Sequence, residues 1–147
     1  MEAQVTHSLV AALRAVPSLA PLEDHTLLTI VGDSANLFWR EGSQVFAKGS
    51  PADGLYIVVS GGVRVVGEAG DELNRLGPRD FFGELSLLDG RPHGHHVFAV
   101  EDTELMVVAK ERFDELLASD AELARTIHEK ADERRPAKPK PAAPTPR

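Results

Sequence analysis

Between Asn36 and Ala109 the chain never sustains an apolar stretch long enough for a buried helix. It breaks into seven short runs separated by Gly, Pro and Asp: Leu37-Phe38-Trp39, Gln44-Val45-Phe46, Leu55-Tyr56-Ile57-Val58-Val59, Val63-Arg64-Val65-Val66, Glu72-Leu73-Asn74-Arg75-Leu76, Val97-Phe98-Ala99-Val100 and Glu104-Leu105-Met106-Val107-Val108. Runs this short, at spacings of about 8 to 12 residues, predict a sandwich or barrel rather than a parallel α/β sheet. Ser60-Gly61-Gly62 marks a tight turn between two of them.

Helical spacing flanks this region. Leu9, Val10, Leu13 and Val16 follow a possible cap at Thr6, and Leu22, Leu27, Leu28 and Ile30 follow Pro17 and Pro21. After Lys110 the pattern returns with Phe113, Leu116 and Leu117, then Leu123, Ile127 and Ala131, and Ser119 with Glu122 reads as a capping box. The expected division is an N-terminal helical segment at 1–35, strands at 36–109, C-terminal helices at 110–133 and a disordered basic, proline-rich tail at 134–147. That tail has five prolines and no large apolar residue, too little to repay the entropy of ordering.

A chain of 147 residues has room for one core. The absence of cysteine excludes a disulfide framework, a thiolate metal site and a cysteine nucleophile, and it fits a reducing, cytoplasmic location. Neither a leader peptide nor a membrane span is indicated. Residues 1–133 carry 23 acidic and 11 basic side chains, net −12, so this body repels nucleic acid, whereas 134–147 carries five basic groups and no acid.

The segment Phe81-Phe82-Gly83-Glu84-Leu85-Ser86-Leu87-Leu88-Asp89-Gly90-Arg91-Pro92 has a physical logic of its own. A short helix opening near Gly83 presents unpaired N–H groups, and the glycine lets a ligand approach the main chain. The segment resembles the phosphate-binding cassette of cyclic-nucleotide-binding domains, as in bacterial catabolite-activator proteins and cyclic-nucleotide-dependent kinases. The resemblance extends over about residues 18 to 130: Glu41-Gly42, Gly49-Ser50-Pro51-Ala52-Asp53, Leu55 to Gly61 and Glu101-Asp102-Thr103-Glu104-Leu105 fall in the family's order. It implies a mainly β fold with flanking helices, an eight-stranded antiparallel β-roll of the jelly-roll type, with the cassette at 81–97. It also implies a regulatory sensor without catalysis, whose ligand is cyclic AMP or cyclic GMP, with no cofactor and no metal.

By that resemblance the ligand-binding residues are Phe82, Gly83, Glu84, Leu85, Ser86, His93, Gly94, His95 and His96, with Glu84 receiving the ribose hydroxyls. The side chains of Leu85, Leu87 and Leu88 are expected to face the core. After Pro92 the family usually continues Arg-Ser-Ala-Thr, the arginine clamping the cyclic phosphate, whereas this chain has His93-Gly94-His95-His96. Imidazole is mostly neutral at pH 7 and cannot grip two oxygens as guanidinium does. Weakened or altered binding is expected, strengthening below about pH 6.5 if His93 replaces the clamp. Arg79, at a position where the family often has glycine, and Arg91 are candidate substitute charges.

Two other readings stand beside this one. A domain that has lost its ligand could serve as an interaction or dimerisation module, and Leu123, Ile127 and Ala131 could form either a dimer seam or core packing. A cupin-like metal site would use His93 and His95 as i and i+2 of a strand, but Glu101 is poorly spaced and His128 lies in a predicted helix. Ser86 is not in a nucleophile elbow, His7 and His25 read as surface positions, and Trp39 and Tyr56 read as packing residues. The expected partners are a cyclic nucleotide and an effector protein or second copy, without direct DNA binding or membrane contact.

Overall fold

The computed structural model describes residues 2–134, with side chains from Ser8 onward; most of the predicted tail, 135–147, and the side chain of His7 lie outside the described residues. Helices α1 (Glu2–Arg14) and α2 (Asp24–Asp33) lead into the strands, and helices α4 (Lys110–Ser119) and α5 (Ala121–Arg134) follow them. Thr6 falls inside α1 rather than capping it. No helix among the described residues is long and apolar enough to cross a membrane.

Eight strands form two four-stranded antiparallel sheets. They are β1 (Ser34–Trp39), β2 (Gln44–Phe46), β3 (Gly54–Ser60), β4 (Val63–Val66), β5 (Glu72–Leu76), β6 (Phe81–Phe82), β7 (His96–Ala99) and β8 (Thr103–Ala109), in the orders β1-β8-β3-β6 and β2-β7-β4-β5. A short helix, α3 (Glu84–Asp89), lies between β6 and β7. The architecture is the mainly β roll with flanking helices expected from the sequence. The eighth strand is β6, only two residues long, which no periodicity could announce.

Strand β3 explains how the layers meet. Five consecutive residues, Gly54 to Val58, are buried, because the strand has a packed layer on each face. With the two-residue period of a strand, Leu55 and Ile57 join the helix-side core with Leu13, Leu27, Phe113, Leu123 and Ile127. Tyr56 and Val58 join the core between the sheets with Val63, Phe82, Val97 and Leu105. Strand β8, paired along β3, divides in the same way, Met106 and Val108 to the helices and Leu105 to the other sheet.

Helix α5 buries Leu123, Ile127 and Ala131, so its apolar stripe is used within the chain. Its cap is Asp120, whose Oδ1 accepts the Leu123 N–H at 3.0 Å, not Ser119, whose hydroxyl turns back to the Leu116 carbonyl. The helix runs to Arg134, one residue beyond the boundary drawn from sequence.

Gly61, at φ 83°, makes the β3–β4 turn. A Cβ there would lie 2.6 Å from Thr103 Oγ1 and 2.8 Å from Thr103 Cα, besides meeting the Asp102 carbonyl oxygen. Arg79 holds φ 85° in open solvent, which accounts for glycine being common at such a position. Gly61→Ala should therefore lower unfolding free energy by about 2–4 kcal/mol. Arg79→Gly should leave it unchanged or raise it by up to about 1 kcal/mol; urea denaturation followed by circular dichroism checks both.

Candidate functional site

The approach to α3 is set by Gly83, with φ 91°, which turns the chain from β6 into the helix. A side chain there would crowd the Gly54 carbonyl oxygen at 3.1 Å and Tyr56 Cδ1 at 3.3 Å, so glycine is required on steric as well as conformational grounds. Leu87 is buried in the helix-side core and Leu88 packs against it, which anchors α3. Leu85, expected to face the core, instead lines a cavity beside the helix.

That cavity, of about 460 Å³, is bounded by the cassette residues Phe82 to Ser86, by His93 to His95 and by the end of α5. Phe46, Val65, Leu73, Leu76 and Val97 supply most of its apolar wall. Its size and its mixed lining are those of a small-molecule site.

Glu84 is 1% exposed, and a carboxylate so buried needs a partner. It has one in Arg134, whose Nη1 lies 3.0 Å from both carboxylate oxygens and also donates to the Phe81 carbonyl at 2.5 Å. The guanidinium rests over the Phe81 ring, 5.1 Å from its centroid. Arg134 was not among the residues singled out from the sequence, where it reads as the first charge of the basic tail.

His93 is fixed through its backbone: its N–H donates to the Ser50 carbonyl at 2.9 Å, and its own carbonyl accepts the Gly49 N–H at 2.8 Å. Its ring is 3% exposed and stacks on Phe46, with centroids 3.5 Å apart and planes 4° from parallel. Tyr56 and Phe82 complete this aromatic cluster. Among the described residues, His93 Nε2 is the buried side-chain polar atom that has no hydrogen-bond partner. Burial pushes the imidazole pKa below its ordinary value, partly offset by the Asp53 carboxylate.

His93, Gly94 and His95 line the cavity, but His96 does not: it sits on β7, its Nδ1 accepting the Lys48 N–H at 3.2 Å. Arg79 and Arg91 are exposed and are not among the lining residues. The strand begins at His96, so His93 and His95 do not share a strand face as the cupin-like reading requires. Among the described residues no group of three His, Asp or Glu side chains could hold a metal ion.

Comparisons with known proteins agree with this architecture. A family profile described as cyclic nucleotide-binding domain matches residues 37–120. A cyclic nucleotide-gated potassium channel of Rhizobium etli is 32% identical over 126 residues, 86% of this chain and 35% of the channel. A cyclic AMP receptor protein of Thermus thermophilus is 38% identical over 79 residues, 51% of this chain and 37% of the receptor. The chain thus spans about a third of the length of these relatives. The regulatory domain of Toxoplasma gondii PKA, crystallised with cAMP, superposes with a TM-score of 0.79 at 20% identity, over 89% of this chain and 51% of that one, a likeness of fold.

Two outcomes follow from the geometry. Arg134→Ala strands a buried carboxylate and should destabilise the fold by about 3–4 kcal/mol, the lower part of the range for a broken buried pair because Arg134 keeps some contact with water; chemical denaturation measures it. A depressed His93 pKa means that the unfolded chain binds the proton more readily. The stability tied to His93 is therefore full above about pH 6.5 and is lost as pH falls below it, towards the folded-state pKa. Thermal melts between pH 7.5 and 5.5 should show a smaller acid loss in His93→Phe than in the wild type.

Proposed function

We propose that this chain, which belongs to the cyclic nucleotide-binding domain family, is a ligand-sensing module that holds a ribose-bearing, nucleotide-type ligand in the cavity beside α3. The observation that carries the reading is Glu84, buried to 1% exposure yet part of the cavity lining. A carboxylate accepts through two oxygens with about four lone-pair sites, so a sugar hydroxyl can donate to Glu84 while Arg134 remains beside it. The apolar wall would receive the base, beside the main chain at Gly83.

The role is binding rather than catalysis, with output passed to an effector protein or a second copy of the chain, and the cysteine-free composition suits a cytoplasmic setting. Because Glu84 is shared between the cavity and Arg134 of α5, a ligand on Glu84 alters the interaction that holds the end of that helix. The phosphate end is the weak one. An arginine at position 93 would supply charged hydrogen bonds of about 1.5–3 kcal/mol, and the neutral, buried imidazole does not.

The rival reading, a ligand-free interaction module, draws on the same substitution. Nitrogen–proton correlation spectra of the full chain, titrated with cyclic AMP and cyclic GMP to millimolar concentration, separate the two. His93→Arg should tighten cyclic nucleotide binding by about ten- to a hundredfold relative to the wild type, with shifts at Gly83 to Ser86. If neither the wild type nor the folded variant shows shifts there, the sensor reading falls and the interaction module stands.

A further inference from the structure

The ionic groups around the cavity do not suit an anion. Among the described residues its charged lining consists of Glu84, Glu133 and Arg134, two carboxylates against one guanidinium. The Nη1 of that guanidinium is already committed, serving the Phe81 carbonyl and both oxygens of Glu84. Moving it to a phosphate would leave a carboxylate of 1% exposure without its cation. Residues 1–133 as a whole add a net charge of −12.

What the cavity does offer is a set of groups for neutral partners. His93 lines it with an imidazole held flat on Phe46 at 3.5 Å, 3% of the residue being exposed, and its Nε2 is buried without a partner. A ring so placed can exchange a hydrogen bond with a hydroxyl in its neutral form, whereas protonation would put a cation among Phe46, Tyr56 and Phe82. Burial lowers its basicity in agreement with that. Glu84 accepts from hydroxyl donors without giving up Arg134, and the faces of Phe46, Val65, Leu76 and Phe82 accept an apolar ring system.

We propose that the cavity selects an uncharged ribose-bearing ligand, a nucleoside with free sugar hydroxyls, over a cyclic nucleotide; the inference rests on the ligand-binding reading above and names its ligand class. The hydroxyls meet Glu84, the neutral His93 ring closes the other end of the cavity, the base lies against the apolar wall, and no group of the ligand calls for a cation. His93 is then a specificity-determining residue, excluding the phosphate that an arginine would admit.

Isothermal calorimetry of the full chain with adenosine, guanosine, cyclic AMP and cyclic GMP tests this at pH 7.5. The expected result is a nucleoside Kd at least tenfold below that of the cyclic nucleotide with the same base. His93→Arg should reverse the order, and His93→Gln, neutral and hydrogen-bonding, should keep the nucleoside preference; the Gln variant carries the test if the Arg variant does not fold. A cyclic nucleotide bound as tightly as its nucleoside, or more tightly, overturns the proposal and leaves the sensing role intact. Silence with all four ligands overturns both.

Discussion

A carboxylate at 1% exposure cannot be left alone, and much of the architecture around the cavity follows from that constraint. Glu84 opens α3 next to a glycine at φ 91°, where a side chain would be strained and tightly packed, so its position is fixed by backbone conformation rather than by its own charge. The cation that answers it comes from Arg134, 50 residues further along, on the last turn of α5. For Arg134 to arrive there, α5 must lie across the helix-side core, which Leu123, Ile127 and Ala131 secure, and its start must be held, which Asp120 does. The cavity wall and the placement of α5 therefore share one ion pair.

The opposite wall has a different logic. His93 is placed by two backbone hydrogen bonds to the Gly49-Ser50 turn and by stacking on Phe46, not by any charged partner. Its neighbours Tyr56 and Phe82 belong to the core between the sheets, so the imidazole is treated as one more ring of an aromatic cluster. One side of the cavity is thus ionic, with Glu84 and Arg134 paired, and the other aromatic and neutral.

Most of the fold was legible because its signals are local. The short apolar runs gave seven strands, and the Ser60-Gly61-Gly62 turn and the helical stripes sit where the spacing put them. The cassette was legible because it is contiguous: Phe82 to Ser86 and His93 to His95 all meet at the cavity. What escaped was either too short for a period, as with β6, or decided by a competing local bond, as with Asp120 displacing Ser119 as cap. For Leu85 only the core-facing side chain was misjudged, because a six-residue helix has too few turns to show which face is inward.

Arg134 and His93 show a deeper limit. In sequence Arg134 stands between Glu133 and Arg135 at the head of a basic stretch, and nothing local separates a buried partner of Glu84 from a solvated tail charge. At His93 the resemblance implies an imidazole where the family usually has a guanidinium, but an imidazole has two identities, a titrating cation and a neutral heteroaromatic ring. The choice between them belongs to the surroundings. Phe46 at 3.5 Å and the burial of the ring select the neutral ring. A substitution in a binding motif tells which interaction has left; only the packed neighbours tell which one has replaced it.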